Sequence, residues 1–315
     1  MHASSYQLFN QDIIGNSVTW LVNWIEATMP GFLDGISAII GFVVSNLQSF
    51  FLWVNPIVMA VIITLFGFWR VGVGFGFFCI ISMLLLFQMA LWPETMVTLS
   101  LVLASSLVAL VIAIPVGVAM ARSDRVETLV RPVLDLMQTM PPFVYLIPAA
   151  IFFGLGQVPG TISTVIFAMP PAVRLTNLGI RQVSEENVEA GLAFGCTPRQ
   201  LLTKVQLPLA MPSIMQGVNQ TIMLSLSMVV IASMIGAGGL GNTVLTGIER
   251  LNVGLGFDGG LGVVLLAIIL DRITQTFGNL QRSSGERGGL FSRIKDALTG
   301  AGARGAAASP ASGDE

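Results

Sequence analysis

Long apolar runs, separated by short polar or proline-bearing stretches, organise this chain, and neither strict alternation nor a heptad recurs along it. Seven of the runs predict spanning helices, at about 55–69, 72–92, 97–121, 141–157, 160–176, 211–236 and 257–276. Most approach the ~20 residues that carry a helix through a hydrocarbon core. Pro93 and Glu94 are expected to break the second run from the third, the pair Pro141–Pro142 opens the fourth, and Gly156 to Gly160 turn the fourth into the fifth. The fourth and fifth runs are short and rich in proline, which is tolerated where neighbouring helices satisfy the freed backbone groups, so both should lie inside the bundle. The pattern predicts an all-α polytopic membrane protein of about seven spans.

Charge sharpens that reading. Of the 315 residues 54% are hydrophobic and 10% charged, against about 25% charged in ordinary soluble domains. Between Asp34 and Arg122 only Arg70 and Glu94 are ionisable, and no charge falls between Asp135 and Arg174 or between Lys204 and Glu249. A charge at mid-bilayer costs roughly 2.5–3.5 kcal/mol, which such gaps avoid. With the N-terminus outside, every one of the 15 basic residues except Arg250 falls on the cytoplasmic side, so the positive-inside rule predicts N-out, C-in.

Residues 1–54 read as an extracytoplasmic or interfacial segment. Within it, 36–54 is uncharged but interrupted by Ser37, Ser45, Asn46, Gln48 and Ser49, which favours a half-inserted helix over a further span. No basic stretch precedes a short apolar core, so no cleavable signal peptide is expected. The transmembrane domain covers 55–280, and 281–315, rich in Gly, Ala and Ser, reads as a disordered cytoplasmic tail.

The cytoplasmic stretch 177–210 carries the most information. Ser184 is placed to cap a helix whose first turn holds Glu185 and Glu186, where carboxylates meet the positive helix end. That helix should stop at Gly195. Thr197 then begins a second helix, with Pro198 at its first position and Gln200 completing a capping box; Pro208 and Pro212 are expected to end it. The outcome is a helical hairpin over 184–208 that bears Val188, Leu192, Phe194, Leu201 and Leu202.

Catalysis has little to build on. The chain has no GxxxxGK[ST] phosphate loop, two lysines (Lys204 and Lys295), and one histidine, His2, so it lacks the cradle and lysine that grip nucleotide phosphates. Cys79 and Cys196 are assigned to a span and a cytoplasmic loop, which argues against a disulfide, and with His2 they are too few for zinc. A net charge of −2 gives no reason to expect a nucleic-acid partner.

The hairpin resembles the EAA loop of ABC importer permeases. Glu189-Ala190-Gly191 is followed after three residues by Gly195, and after nine more by Val205-Gln206-Leu207-Pro208; Gly replaces the second Ala, and Val replaces Ile. Roughly Asn55 to Thr276 is similar to the permeases of glycine betaine/proline betaine uptake. The resemblance runs through Leu134 to Thr139, Phe143 to Leu146, Lys204 to Pro212, Ser227 to Ile235, and Ala267 to Arg272. It implies a type I importer transmembrane domain in the bacterial inner membrane, working as a homodimer. ATP and Mg would be bound by a separate ATPase subunit, leaving this chain without a cofactor of its own, and solute would arrive from a separate periplasmic or lipid-anchored binding protein. Glu189, Ala190, Gly191, Gly195, Val205, Leu207 and Pro208 would form the loop that couples to the ATPase, with Glu189 equally able to brace the loop or to touch the partner.

Candidate pathway residues follow from helical spacing. Gln220, Met223, Ser227, Val230 and Met234 form one mildly polar stripe, joined by Tyr145 and Phe143. The stripe lines either the pathway or a helix contact with its serine bonded to its own backbone. A path without ionisable groups suits a solute of no net charge. The alternatives are an importer for choline, carnitine or an amino acid, and a secondary transporter or channel, which would need intramembrane charges or ordered carbonyls. Gly236 to Gly241 is expected to be a flexible external turn. Replacing Gly195 by Trp should abolish ATP-driven uptake while leaving membrane insertion intact; uptake assays on membranes with equal protein levels will check this, and normal transport would count against coupling.

Overall fold

The structure, a computed structural model, describes residues 13–278; the expectations for His2, the extreme N-terminus and the tail 281–315 lie outside them. Thirteen α-helices follow in chain order among the described residues. They are α1 (Ile13–Thr28), α2 (Pro30–Trp53), α3 (Pro56–Arg70), α4 (Val73–Gln88), α5 (Trp92–Arg122), α6 (Asp124–Thr139), α7 (Pro142–Phe153), α8 (Gln157–Arg181), α9 (Glu185–Ala193), α10 (Pro198–Gln200), α11 (Leu207–Ala232), α12 (Leu240–Glu249) and α13 (Val253–Gly278). Among the described residues five stretches can cross a membrane by length and composition: Pro30–Trp53, Trp92–Arg122, Gln157–Arg181, Pro198–Ile235 and Val253–Thr276. The pair α6 and α7, bent by 99° at its break, makes up to six.

Local sequence explains most boundaries. Asn55 accepts a hydrogen bond from the Ile57 N–H at 3.0 Å with Pro56 behind it, a helix start built from a capping side chain and a pre-set φ. The third run begins earlier than expected. Ala90, at φ 53°, reverses the chain, and Pro93 and Glu94 sit in the first turn of α5. There Pro93 gives up an N–H that has no helical partner anyway, and Glu94 meets the positive helix end. The turn into α8 likewise comes sooner, at Gly154 and Gly156 with φ of 76° and 127°. The fifth run is not short: α8 has 25 residues and carries Pro170 and Pro171 buried within it. By contrast α3 and α4, at 15 and 16 residues, reach only about 23 Å.

The middle of the bundle is α5, α8 and α11, which meet through small residues. A Cβ on Gly117 of α5 would lie 2.6 Å from the Thr176 Cβ and 2.7 Å from the Val173 carbonyl oxygen of α8. One on Gly179 would lie 2.7 Å from Ser213 of α11, and one on Gly217 3.0 Å from the Ala172 Cα. Such approaches let backbones make the van der Waals contact that drives helix association in lipid. Hydroxyls in this core are mostly bonded to the preceding turn, as for Thr95 to Leu91 and Ser105 to Leu101, both 2.7 Å; Ser106 instead donates across to Ser225 at 3.1 Å.

Two outer features depart from expectation. The turn Gly236–Gly241 is packed, with Ala237 and Leu240 buried and the Leu240 N–H donating to Thr98 Oγ1 of α5 at 2.8 Å. Its glycines serve close approach: a Cβ on Gly239 would lie 2.5 Å from that same oxygen. Helix α2 starts at Pro30, earlier than the uncharged stretch suggested, and Ile40 and Val44 on it are buried in the bundle. Gly41, halfway along α2, faces Val158 in the first turn of α8, so the centre of α2 lies level with one end of the bundle. Gly117→Ala should destabilise the protein by about 1–3 kcal/mol, seen as a lower thermal midpoint in detergent, whereas Gly260→Ala, with nothing within 4 Å of the new methyl, should leave it unchanged.

Candidate functional site

The hairpin that follows α8 forms largely as its sequence dictates. Helix α9 begins after Ser184 with Glu185 and Glu186 in its first turn. The Ser184 hydroxyl takes no backbone N–H of α9; it accepts from the Asn187 side chain at 2.7 Å instead. Gly195, at φ 77°, ends α9 in the left-handed region, and the Cys196 N–H donates back to the Gly191 carbonyl oxygen at 3.1 Å. The capping box is complete. Gln200 N–H donates to Thr197 Oγ1 at 3.4 Å and the Thr197 N–H to Gln200 Oε1 at 2.9 Å.

Beyond α10 the expected stop does not occur. Residues Leu201–Gln206 form a π-helical segment that runs straight into α11, with Pro208 and Pro212 both inside the continuous rod. The reason lies in proline chemistry. A ring at position 208 clashes with the carbonyl four residues back in regular α geometry, and the wider turn, in which Leu207 N–H bonds Leu202 O, relieves it. The second arm of the hairpin is thus the root of α11.

Gly191 explains one departure from the EAA pattern. It is buried, and a Cβ there would meet the Leu201 Cδ1 methyl at 2.8 Å and Val205 at 3.5 Å, so this glycine is where the two arms touch. Val205, Leu207 and Pro208 are half-buried, while Glu189, Ala190 and Gly195 are exposed. The free end of the hairpin is apolar: Phe194 is 89% exposed and Leu192 54%. Behind the hairpin lies a cavity of about 510 Å³, lined among others by Arg122, Arg181, Glu185, Glu189 and Gln206. Glu189 therefore faces the space between hairpin and bundle, and it makes no hydrogen bond among the described residues.

The second candidate surface is one side of α11. Thr221, Ser225, Met228, Val229 and Ala232 are buried in the bundle, which leaves Gln220, Ser227 and Met234 exposed and Met223 half-buried on the opposite side. Ser227 donates to the Met223 carbonyl oxygen at 3.1 Å. Tyr145 does not present its phenol to this surface; it is buried, and its hydroxyl donates to the Met137 carbonyl oxygen of α6. Phe143, Ile147 and Ile151 of α7 are exposed, so only part of that helix lies inside the bundle. No cluster of three or more metal-ligating side chains occurs among the described residues.

Residues 113–280, which include the hairpin and the α11 surface, match the family described as the binding-protein-dependent transport system inner membrane component. The chain belongs to that family. It is a permease component of the bacterial inner membrane. It is 48% identical over 271 residues to the glycine betaine/proline betaine transport system permease protein ProW of Escherichia coli, covering 86% of this chain and 76% of that one. It is 50% identical over 273 residues to the glycine betaine/carnitine transport permease protein GbuB of Listeria monocytogenes, covering 84% and 97%. The glycine betaine transport system permease protein OpuAB of Bacillus subtilis is 44% identical over 264 residues, covering 84% and 94%. Among solved structures, the inward-facing MetNI methionine ABC transporter superposes with a TM-score of 0.52 at 22% identity, over 61% of this chain and 94% of that one. The fold is that of an ABC importer transmembrane chain.

Gly191→Ala should be accommodated, because the methyl it meets is the movable end of Leu201. Gly191→Leu should instead pry the arms apart and speed tryptic cleavage at Arg199 and Lys204 on the order of tenfold, as read by limited proteolysis of the purified protein.

Proposed function

We propose that this chain is the pore-forming subunit of an ATP-driven importer for glycine betaine, proline betaine and related methylated amines that serve as compatible solutes. The observation that carries the substrate class is the 44–50% identity, over most of the chain, to three permeases named for glycine betaine transport. ATP and Mg are bound by a separate subunit, and solute is delivered by a separate binding protein. The exposed apolar tip at Leu192 and Phe194 supports a docking role for the hairpin, since a short helix with an apolar end suits a groove on a partner. The small residues Ala190 and Gly191 and the turn at Gly195 keep the hairpin compact, and Val205, Leu207 and Pro208 join it to α11.

The α11 surface supports a pathway between two copies of this chain. Gln220 lies in the middle of α11, is exposed, and has no hydrogen-bond partner within the described residues. A bare amide in hydrocarbon costs several kcal/mol, so this side of α11 turns toward water or toward another chain. Gln220, Met223, Ser227 and Met234 then offer a neutral, mildly polar lining that suits a zwitterion. Tyr145 contributes by holding α7 to α6. The N-out, C-in arrangement places the hairpin in the cytoplasm, with the middle of α2 near the outer face, in keeping with an interfacial or half-inserted α2.

The complex reconstituted in liposomes with its ATPase and binding protein should accumulate radiolabelled glycine betaine only when ATP is supplied. Unlabelled proline betaine should compete. Choline and carnitine distinguish the second reading, in which either displaces the label better than betaine does. Full-rate uptake down a gradient without the ATPase subunit would refute the importer reading.

A further inference from the structure

Charge as well as burial holds α6 in place: Val126, Val130 and Met137, half-buried, pack with Leu134 against the same apolar cluster. Of its 16 residues only Leu134 is fully buried, while Leu129, Val133 and Leu136 remain exposed. Both of its ends are nevertheless tied to α8. Arg181, the last residue of α8, reaches Asp124 at 2.8 Å and Glu127 at 3.0 Å. The same guanidinium donates to the Met120 carbonyl oxygen at the end of α5 at 2.8 Å, and through Nε to Asn177 Oδ1 at 3.0 Å. Asn177 closes the ring by donating to Glu127 at 3.1 Å. Toward the other end of α6, Arg174 pairs with Asp135 at 2.6 Å. A planar guanidinium with five donors is suited to serve acceptors from three helices at once.

We infer that Arg181 is a positioning residue that locks the cytoplasmic ends of α5, α6 and α8 into one body, so that movement of the hairpin reaches the bend between α6 and α7. This rests on the hairpin being the ATPase contact. Only Gln182, Val183 and Ser184 separate Arg181 from α9, so a displaced hairpin pulls first on the end of α8. Because Arg181 at one end and the packing of Leu134 on Ala172 and Val173 further along fasten α6 to α8, and Tyr145 ties α6 to α7, the displacement passes to α7 as a rigid-body shift. Glu127 is the partner that matters. Its side chain is 25% exposed against 88% for Asp124, and water and salt weaken the exposed pair far more.

The test is made on the full chain assembled with its ATPase subunit and binding protein in liposomes, reading ATP hydrolysis and glycine betaine uptake in the same sample. Arg181→Gln and Glu127→Ala should keep solute-stimulated hydrolysis within about twofold while uptake per ATP falls on the order of tenfold. Asp124→Ala should stay within about twofold on both readouts, and Arg181→Lys should recover part of the loss. Unchanged uptake per ATP in Arg181→Gln, or equal losses in Glu127→Ala and Asp124→Ala, would overturn the clamp. Where Arg181→Gln fails to assemble, the comparison of Glu127→Ala with Asp124→Ala decides alone. Phe194→Asp separates the two readings. If it retains the ATPase subunit, the hairpin assignment falls; if it releases that subunit while Arg181→Gln couples normally, only the clamp falls.

Discussion

Close backbone contact between α5, α8 and α11 is the constraint on which this protein is built. In lipid no hydrophobic force draws helices together, so association depends on how nearly their backbones can approach. Gly117, Gly179 and Gly217 remove the side chains that would hold the three helices apart. Both candidate surfaces hang from this core: α8 leads into the hairpin, α11 grows out of it, and the polar side of α11 is whatever the core leaves uncovered. That Pro170 and Pro171 sit buried in α8 follows from the same arrangement, because neighbouring helices shield the backbone the prolines interrupt.

The hairpin joins this core in two different ways. Its first arm hangs from α8 through three residues, close beneath the Arg181 ring. Its second arm has no linker, since the π-helical segment makes it one piece with α11. The apolar tip is therefore connected to both sides of the bundle, once through the salt-bridged end of α8 and once through continuous helix. The cavity behind the hairpin lies between these two connections.

How far the sequence foretold this depended on the range of the interactions involved. Local chemistry was legible: the Thr197–Gln200 capping box, the left-handed Gly195, and the acidic first turn of α9 each involve residues within a few positions. Composition was legible too, since charge-free gaps announce membrane helices without any knowledge of how they pack. Contacts between distant residues were not. Glycine density made Gly236 to Gly241 look loose, yet Thr98 and Gly160, far away in sequence, turn it into a packed corner. Prolines 208 and 212 looked like stops because the π segment that absorbs the first leaves no composition signal. The Arg181 ring had a faint signature, Asp124 and Glu127 three apart on one helix face, but nothing marked which arginine would reach them. The short outer helix α12 was hidden by its weakly apolar residues.

The π segment has a geometric consequence of its own. Bonds that skip five residues instead of four place in effect one extra residue within a turn, which rotates everything downstream by about 100° about the helix axis. The segment thus sets the azimuth of α11: Leu201 and Val205 point back at Gly191 while, further along the same rod, Gln220 and Ser227 emerge on the uncovered side. Losing a single residue between 201 and 206 would keep every amino acid type on α11 yet swing its polar seam into the bundle, so the length of this stretch is under tighter geometric control than its composition.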